Sequence, residues 1–194
     1  MTSTRKLRTV IAGLGRIGWG FHLQHCSHDP RFDVVAVVDK EAERCAQACD
    51  LFPACCSFFT WEDFLAADVA VDIVVIATPT RLHQQMACAA ISRGWHVIME
   101  KPIASDVNEV DAIVAAEKAH GRKVFLFQPH RWSAESRGVQ EILDSGVLGP
   151  IYCIRRAYHT YRRRNDWQAL SANGGGMLNN YGVRFVPRLY YLLY

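Results

Sequence analysis

No run of apolar residues in this chain approaches the length needed to cross a bilayer, and none forms the hydrophobic centre of a secretion leader. The first residues, MTSTRKLR, are polar and lead straight into a short apolar segment. The seven cysteines (26, 45, 49, 55, 56, 88 and 153) are odd in number and include no CxxC pair. A disulfide framework is therefore not expected, and reduced thiols in a cytoplasmic protein are the simpler reading. Cys45 and Cys49 would share a helix face, yet no His/Cys pair stands at zinc-like spacing from them, so no metal site is expected. Charge of one sign is scarce too. Twenty-two Lys and Arg against nineteen Asp and Glu leave +3, too little to point to nucleic acid. Low-complexity linkers and internal repeats are missing as well.

What is present is an ordinary globular composition, 50% hydrophobic, over 194 residues: enough for one domain and part of a second. Short apolar runs alternate with helical patterns. Strands are expected at 9–12, 34–38, 56–59, 73–77, 97–99 and 124–127. Helices are expected after Gly18 and at 41–50, 61–66, 81–93 and 106–120. Thr60 with Asp63, and Asp106, stand where helix N-caps belong, and Gly94 and Gly121 where helices stop. This alternation predicts an α/β fold, a doubly wound parallel sheet of the Rossmann type, with its ligand crevice at the carboxyl ends of the strands. Beyond residue 128 the pattern changes to a helix at 133–144, a turn at 146–150 and an alternating, strand-like stretch at 151–158. A basic, aromatic segment (YRRRNDW) and the glycines 174–176 follow. The expected division is 1–127 for a dinucleotide-binding domain and 128–194 for part of an α+β substrate or oligomerisation domain.

The strongest local motif is GxGxxG at Gly13, Gly15 and Gly18, with Arg16 and Ile17 between the last two. It follows an apolar strand and opens a helix, the context that makes it a phosphate loop. Gly13 would allow the tight turn, Gly15 the approach of a pyrophosphate, and Gly18 close packing of helix on strand. The next strand ends in Asp39, 21 residues past Gly18, where a carboxylate can take the adenosine ribose hydroxyls. An Asp there repels a 2′-phosphate and favours NAD. Lys40 beside it leaves NADP open. His22, His25 and His28 on the helix after the loop read as solvated polar residues.

Two further segments are more specific: ATPTRLH at 77–83 and GWHVIMEKP at 94–102. Together with the phosphate loop they resemble the glucose–fructose oxidoreductase / inositol dehydrogenase (Gfo/Idh/MocA) family over about residues 7–183. The resemblance implies that Thr78, Pro79 and His83 line the nicotinamide side of the cofactor, with helix capping or packing as the lesser alternative for His83. It implies that Lys101 lies beside nicotinamide and substrate, where an ammonium stabilises a developing alkoxide, and that Glu100 orients it or touches the cofactor. In the second domain Arg131-Trp132, Asn165-Asp166-Trp167 and the glycines before Met177 also resemble family features.

The family's acid/base pair, an Asp and a His four residues apart on one helix, falls here on Asn180 and Arg184. Asn180 can position substrate, but an amide exchanges no proton in this range and Arg184 stays charged. Arg184 could hold an anionic substrate instead. The runs Arg155-Arg156 and Arg162 to Arg164 read first as a solvated face, then as an anionic substrate site, and last as nucleic-acid binding, which no recognised module accompanies. Relative to the family, a large second-domain sheet is missing, which suggests a truncated or frame-altered reading frame. The function expected is hydride transfer between NAD(P) and a sugar, cyclitol or related polyol. The alternative is a catalytically impaired, truncated nucleotide-binding protein. No nucleic-acid or membrane partner is expected, and the absent sheet argues against a family-like homo-oligomer.

Overall fold

The computed structural model describes residues 5–155, 157, 159, 161, 163, 165–166, 169–170, 175–176 and 178–183. The chain divides into two compact units, 1–127 and 128–194.

The first unit is built on six parallel strands: β1 (Leu7–Ala12), β2 (Phe32–Val38), β3 (Cys56–Phe58), β4 (Ile73–Ile76), β5 (His96–Met99) and β6 (Val124–Leu126). Their order across the sheet is β3-β2-β1-β4-β5-β6. The order reverses between β1 and β4, so the crossovers on the two sides diverge and open a crevice at the carboxyl ends. A wide π turn, Gly18–Leu23, continues into α1 (Gln24–His28) after β1. Then come α2 (Ala42–Leu51), α3 (Trp61–Ala66), α4 (His83–Ser92) behind a 3₁₀ turn at Thr80–Leu82, and α5 (Val107–His120).

Strand residues alternate between two cores because successive side chains leave a strand on opposite faces. Val10 and Ala12 of β1 join Val74, Ile76, Val97 and Met99 under Phe64, Met86, Ile91 and Ile113. Ile11 goes to the other face, with Val34, Val37 and Val75 under Leu14, Leu23, Cys45 and Ala48. Full burial of each large aliphatic side chain contributes about 1.5–3 kcal/mol, so these two layers supply most of the drive for the fold. Local chemistry sets the element ends. The Thr60 hydroxyl accepts from Asp63 N–H at 3.0 Å, and the Asp106 carboxylate from Glu109 N–H at 3.0 Å. Gly121, at φ 61°, closes α5 in the left-handed region.

At the amino-terminal edge of the sheet, Asp72 accepts from the Arg5 guanidinium (2.9 and 3.0 Å), the Arg8 guanidinium (3.0 Å twice) and Arg8 N–H (2.9 Å). The Arg8 hydrogen bonds, more than those of Arg5, hold this carboxyl well below the usual carboxylate range.

In the second unit, α6 (Ala134–Asp144) is capped by Ser133, whose hydroxyl accepts from Ser136 N–H at 3.2 Å. A π turn at Leu178–Gly182 follows later. The strand expected at 151–158 is not formed among its described residues, 151–155 and 157. Alternation alone makes no strand without a neighbour to complete the hydrogen-bond ladder, and the described residues of this unit contain none.

Candidate dinucleotide and lysine site

The Gly13–Gly18 loop leaves the carboxyl end of β1 and turns into the π turn. Gly13 has φ 91°, and a Cβ there would lie 2.6 Å from the Ala77 carbonyl oxygen. Both the conformation and the contact exclude a larger residue. A Cβ on Gly18 would overlap the Gly13 carbonyl oxygen, so the helix start packs directly on the loop. Gly15 differs: a Cβ there meets nothing within 4 Å. Its face of the loop is open, as a surface receiving phosphate oxygens must be. Arg16 is exposed and Ile17 half-buried at the loop tip.

Asp39 follows β2 and reaches back to this loop. One carboxylate oxygen accepts from Leu14 N–H, and the other from Glu41 N–H at 2.9 Å. The Arg44 guanidinium stands 4.0 Å away. Each carboxylate oxygen has two acceptor positions, so the two backbone bonds leave capacity for ribose hydroxyls. Lys40 is exposed and 3.7 Å from Glu41. The loop, its open Gly15 face and Asp39 thus fit the pyrophosphate and adenosine ribose of a dinucleotide.

The TP segment follows β4. Thr78 Oγ1 donates to Met86 Sδ at 3.5 Å, and Pro79 leads into the 3₁₀ turn. His83 is packed inside, 1% exposed. Its Nδ1 lies 2.8 Å from the Pro102 carbonyl oxygen and its Nε2 2.9 Å from that of Thr78. Burial lowers its pKa, against the raising effect of these carbonyls. His83 thus ties the TP segment to the EKP segment through backbone carbonyls.

Glu100 and Lys101 follow β5, and the Lys101–Pro102 bond is cis. Glu100 is buried. Its Oε2 accepts from Lys101 N–H at 3.3 Å, and its Oε1 accepts from His22 Nε2 at 2.9 Å. His22 therefore corrects an expectation. It is buried rather than solvated, because its partner, 78 residues away in sequence, reaches it at the crevice. His25 and His28 do lie in exposed positions on α1, bonded to the carbonyls of Phe21 and Gln24. Asn180, in the second unit, is buried, and its N–H donates to Gly176 O at 3.0 Å. Arg184 lies outside the described residues.

A 3-2-1-4-5-6 parallel sheet with a glycine loop after β1 and an acid after β2 defines a nicotinamide-dinucleotide-binding domain. The family described as "Oxidoreductase family, NAD-binding Rossmann fold" (GFO_IDH_MocA) matches residues 7–128. This chain belongs to that family, and its cofactor is NAD or NADP. It is 27% identical to D-glucoside 3-dehydrogenase of Escherichia coli, over 100% of this chain and 55% of that protein. It is 28% identical to inositol 2-dehydrogenase of Corynebacterium glutamicum, over 78% of this chain and 45% of that protein. The crystal structure of GenD2 from gentamicin A biosynthesis, in complex with NAD, superposes with a TM-score of 0.88 and 27% identity over 100% of this chain and 55% of its own. The chain spans about half the length of the curated relatives it matches. Among the described residues no helix is long and apolar enough to cross a membrane.

Proposed function

We propose that this chain supplies the cofactor and lysine half of an oxidoreductase that moves a hydride between NAD(P) and a CH–OH carbon of a sugar, cyclitol or related polyol. The observation that carries the reading is Lys101: it follows β5 at the same edge of the sheet as the Gly13–Gly18 loop. When bound, the dinucleotide supplies the hydride acceptor or donor at C4 of its nicotinamide. The chain does the rest. Backbone N–H groups at the start of the π turn take the pyrophosphate, and Asp39 takes the adenosine ribose. An aspartate there favours NAD over its 2′-phosphorylated form. The Lys101 ammonium donates to the substrate oxygen and stabilises the charge that gathers on it as the hydride moves.

The relatives named D-glucoside 3-dehydrogenase and inositol 2-dehydrogenase support the substrate class. A test combines NADH titration by fluorescence with turnover on a panel of polyols and glycosides. Lys101→Met should bind NADH within about threefold of the wild type and lose about 10²–10³ in kcat. Tight NADH binding with no turnover on any panel member would favour the impaired nucleotide-binding protein. Binding of neither dinucleotide would sink both readings.

A further inference from the structure

One buried contact joins the phosphate-loop side of the crevice to the lysine side, and the proposed reaction does not use it. His22 projects from the π turn four residues after Gly18, and its Nε2 donates to Glu100 Oε1 at 2.9 Å. The two side chains are 6% and 11% exposed. The rings of Phe21 and Phe127 stand around the imidazole, with centroids 5.8 and 4.6 Å from it. A carboxylate shut away from water keeps its place through its partners. Glu100 accepts hydrogen bonds from the His22 ring on one oxygen and from the Lys101 backbone N–H, at 3.3 Å, on the other, and its charge also acts on the buried His83.

We propose that His22 is a positioning residue for Lys101. It fixes Glu100, and Glu100 fixes the backbone from which the Lys101 side chain departs. Because His22 and Gly18 belong to the same turn, a dinucleotide seated on the phosphate loop also sets the lysine. The chain of contacts runs Gly18, His22, Glu100, Lys101, and each link is a covalent segment or a hydrogen bond. A pair that served only stability would leave the chemistry of the Lys101 amine unchanged in a folded variant. This proposal rests on the functional reading above, in which the loop holds the cofactor and Lys101 stands at its nicotinamide end.

The test needs no substrate. The full chain is trace-acylated with an amine-reactive ester, with and without saturating NADH, and the rate at Lys101 is read by peptide mass. Thermal melting checks that each variant is folded at the labelling temperature. In the wild type NADH should slow labelling of Lys101 at least tenfold. His22→Leu should reduce that protection to threefold or less at NADH concentrations that saturate the variant. His22→Gln, whose amide can donate to Glu100 from nearly the same place, should restore most of it. If His22→Leu does not fold, His22→Asn, polar but too short to reach Glu100, takes its place. Protection in the Leu or Asn variant equal to the wild type's would overturn the positioning role while leaving the functional reading intact. Absence of protection in the wild type would instead remove the functional reading, and the proposal with it.

Discussion

Replacing Gly15 with alanine adds one methyl group where the folded chain has nothing within 4 Å to meet it. The backbone there is not in the left-handed region, which among the described glycines is occupied by Gly13, Gly94, Gly121, Gly146, Gly149 and Gly176. The fold should therefore lose nothing, and lower entropy in the unfolded chain could even stabilise it by up to about 1 kcal/mol. A bound pyrophosphate would feel the methyl directly. Pushing it off the backbone removes at least one charge-assisted hydrogen bond, about 1.5–3 kcal/mol, or roughly 10–150-fold in affinity. Gly18→Ala is the contrasting variant. Its Cβ overlaps the Gly13 carbonyl oxygen, backbone against backbone, so the helix start must move. Overpacking of that kind costs about 3 kcal/mol or more, and at roughly 2–4 °C per kcal/mol Tm should fall by about 6–12 °C. Thermal melting and NADH fluorescence titration on the two variants read stability and binding separately. Wild-type NADH affinity in Gly15→Ala would refute the loop as the phosphate cradle. An unchanged Tm in Gly18→Ala would refute the packing argument.

Removing the carboxylate in Asp72→Ala should lower stability at pH 7 by about 1–3 kcal/mol in urea melts. Because the folded carboxyl titrates below its unfolded value of about 3.9, this difference is present above that value and fades as pH falls through the folded pKa. A gap that stays constant down to pH 2.5 would contradict the assignment. His83, whose pKa burial lowers, should take up its proton more readily in the unfolded chain, so its contribution is intact above about pH 6.5 and lost as pH falls below it. Wild-type stability should therefore drop between pH 7 and 5 more steeply than that of His83→Gln, and parallel profiles would count against it. Among the thiols, burial pushes Cys26 up to about 11 and Cys55 up to about 12, with Asp29 and Cys49 adding to the respective shifts. At pH 8 only about a thousandth of Cys26 and about a ten-thousandth of Cys55 is thiolate, so the exposed Cys56 and Cys153 should react first with a disulfide reagent. Cys55 labelling as fast as Cys56 would overturn that ordering.

The sheet was largely legible because its signals are local. Residues 34–38 and 73–77 are unbroken apolar runs of strand length, and a strand covered on both faces needs that and little more. Thr60 and Asp106 could be read as caps because a cap is a bond between neighbours in sequence. The strand expected at 151–158 had the right alternation, but a strand depends on a partner, and no alternation within one segment supplies it. The π turn was not legible either: Gly18–Leu23 reads as the start of an ordinary helix, and its wider winding has no residue signature of its own.

The site divides the same way. Gly13, Gly15 and Gly18 have distinct roles because each role concerns the space around one Cα, and glycine spacing encodes that space. His22 was misread for the opposite reason. With His25 and His28 it forms a three-residue rhythm that looks like one polar face, and nothing nearby in sequence distinguishes it from the other two. What separates them is the strand order. Placing β4 between β1 and β5 lets a residue from the turn after β1 reach across β4 to the end of β5, where Glu100 waits. Leu23, buried in the next position, was the available hint, since a turn that buries one residue against the sheet carries its neighbour toward the crevice. A buried histidine is thus recognisable here only after the topology has been assigned, and a carboxylate just after another strand on the same edge is the partner to seek first.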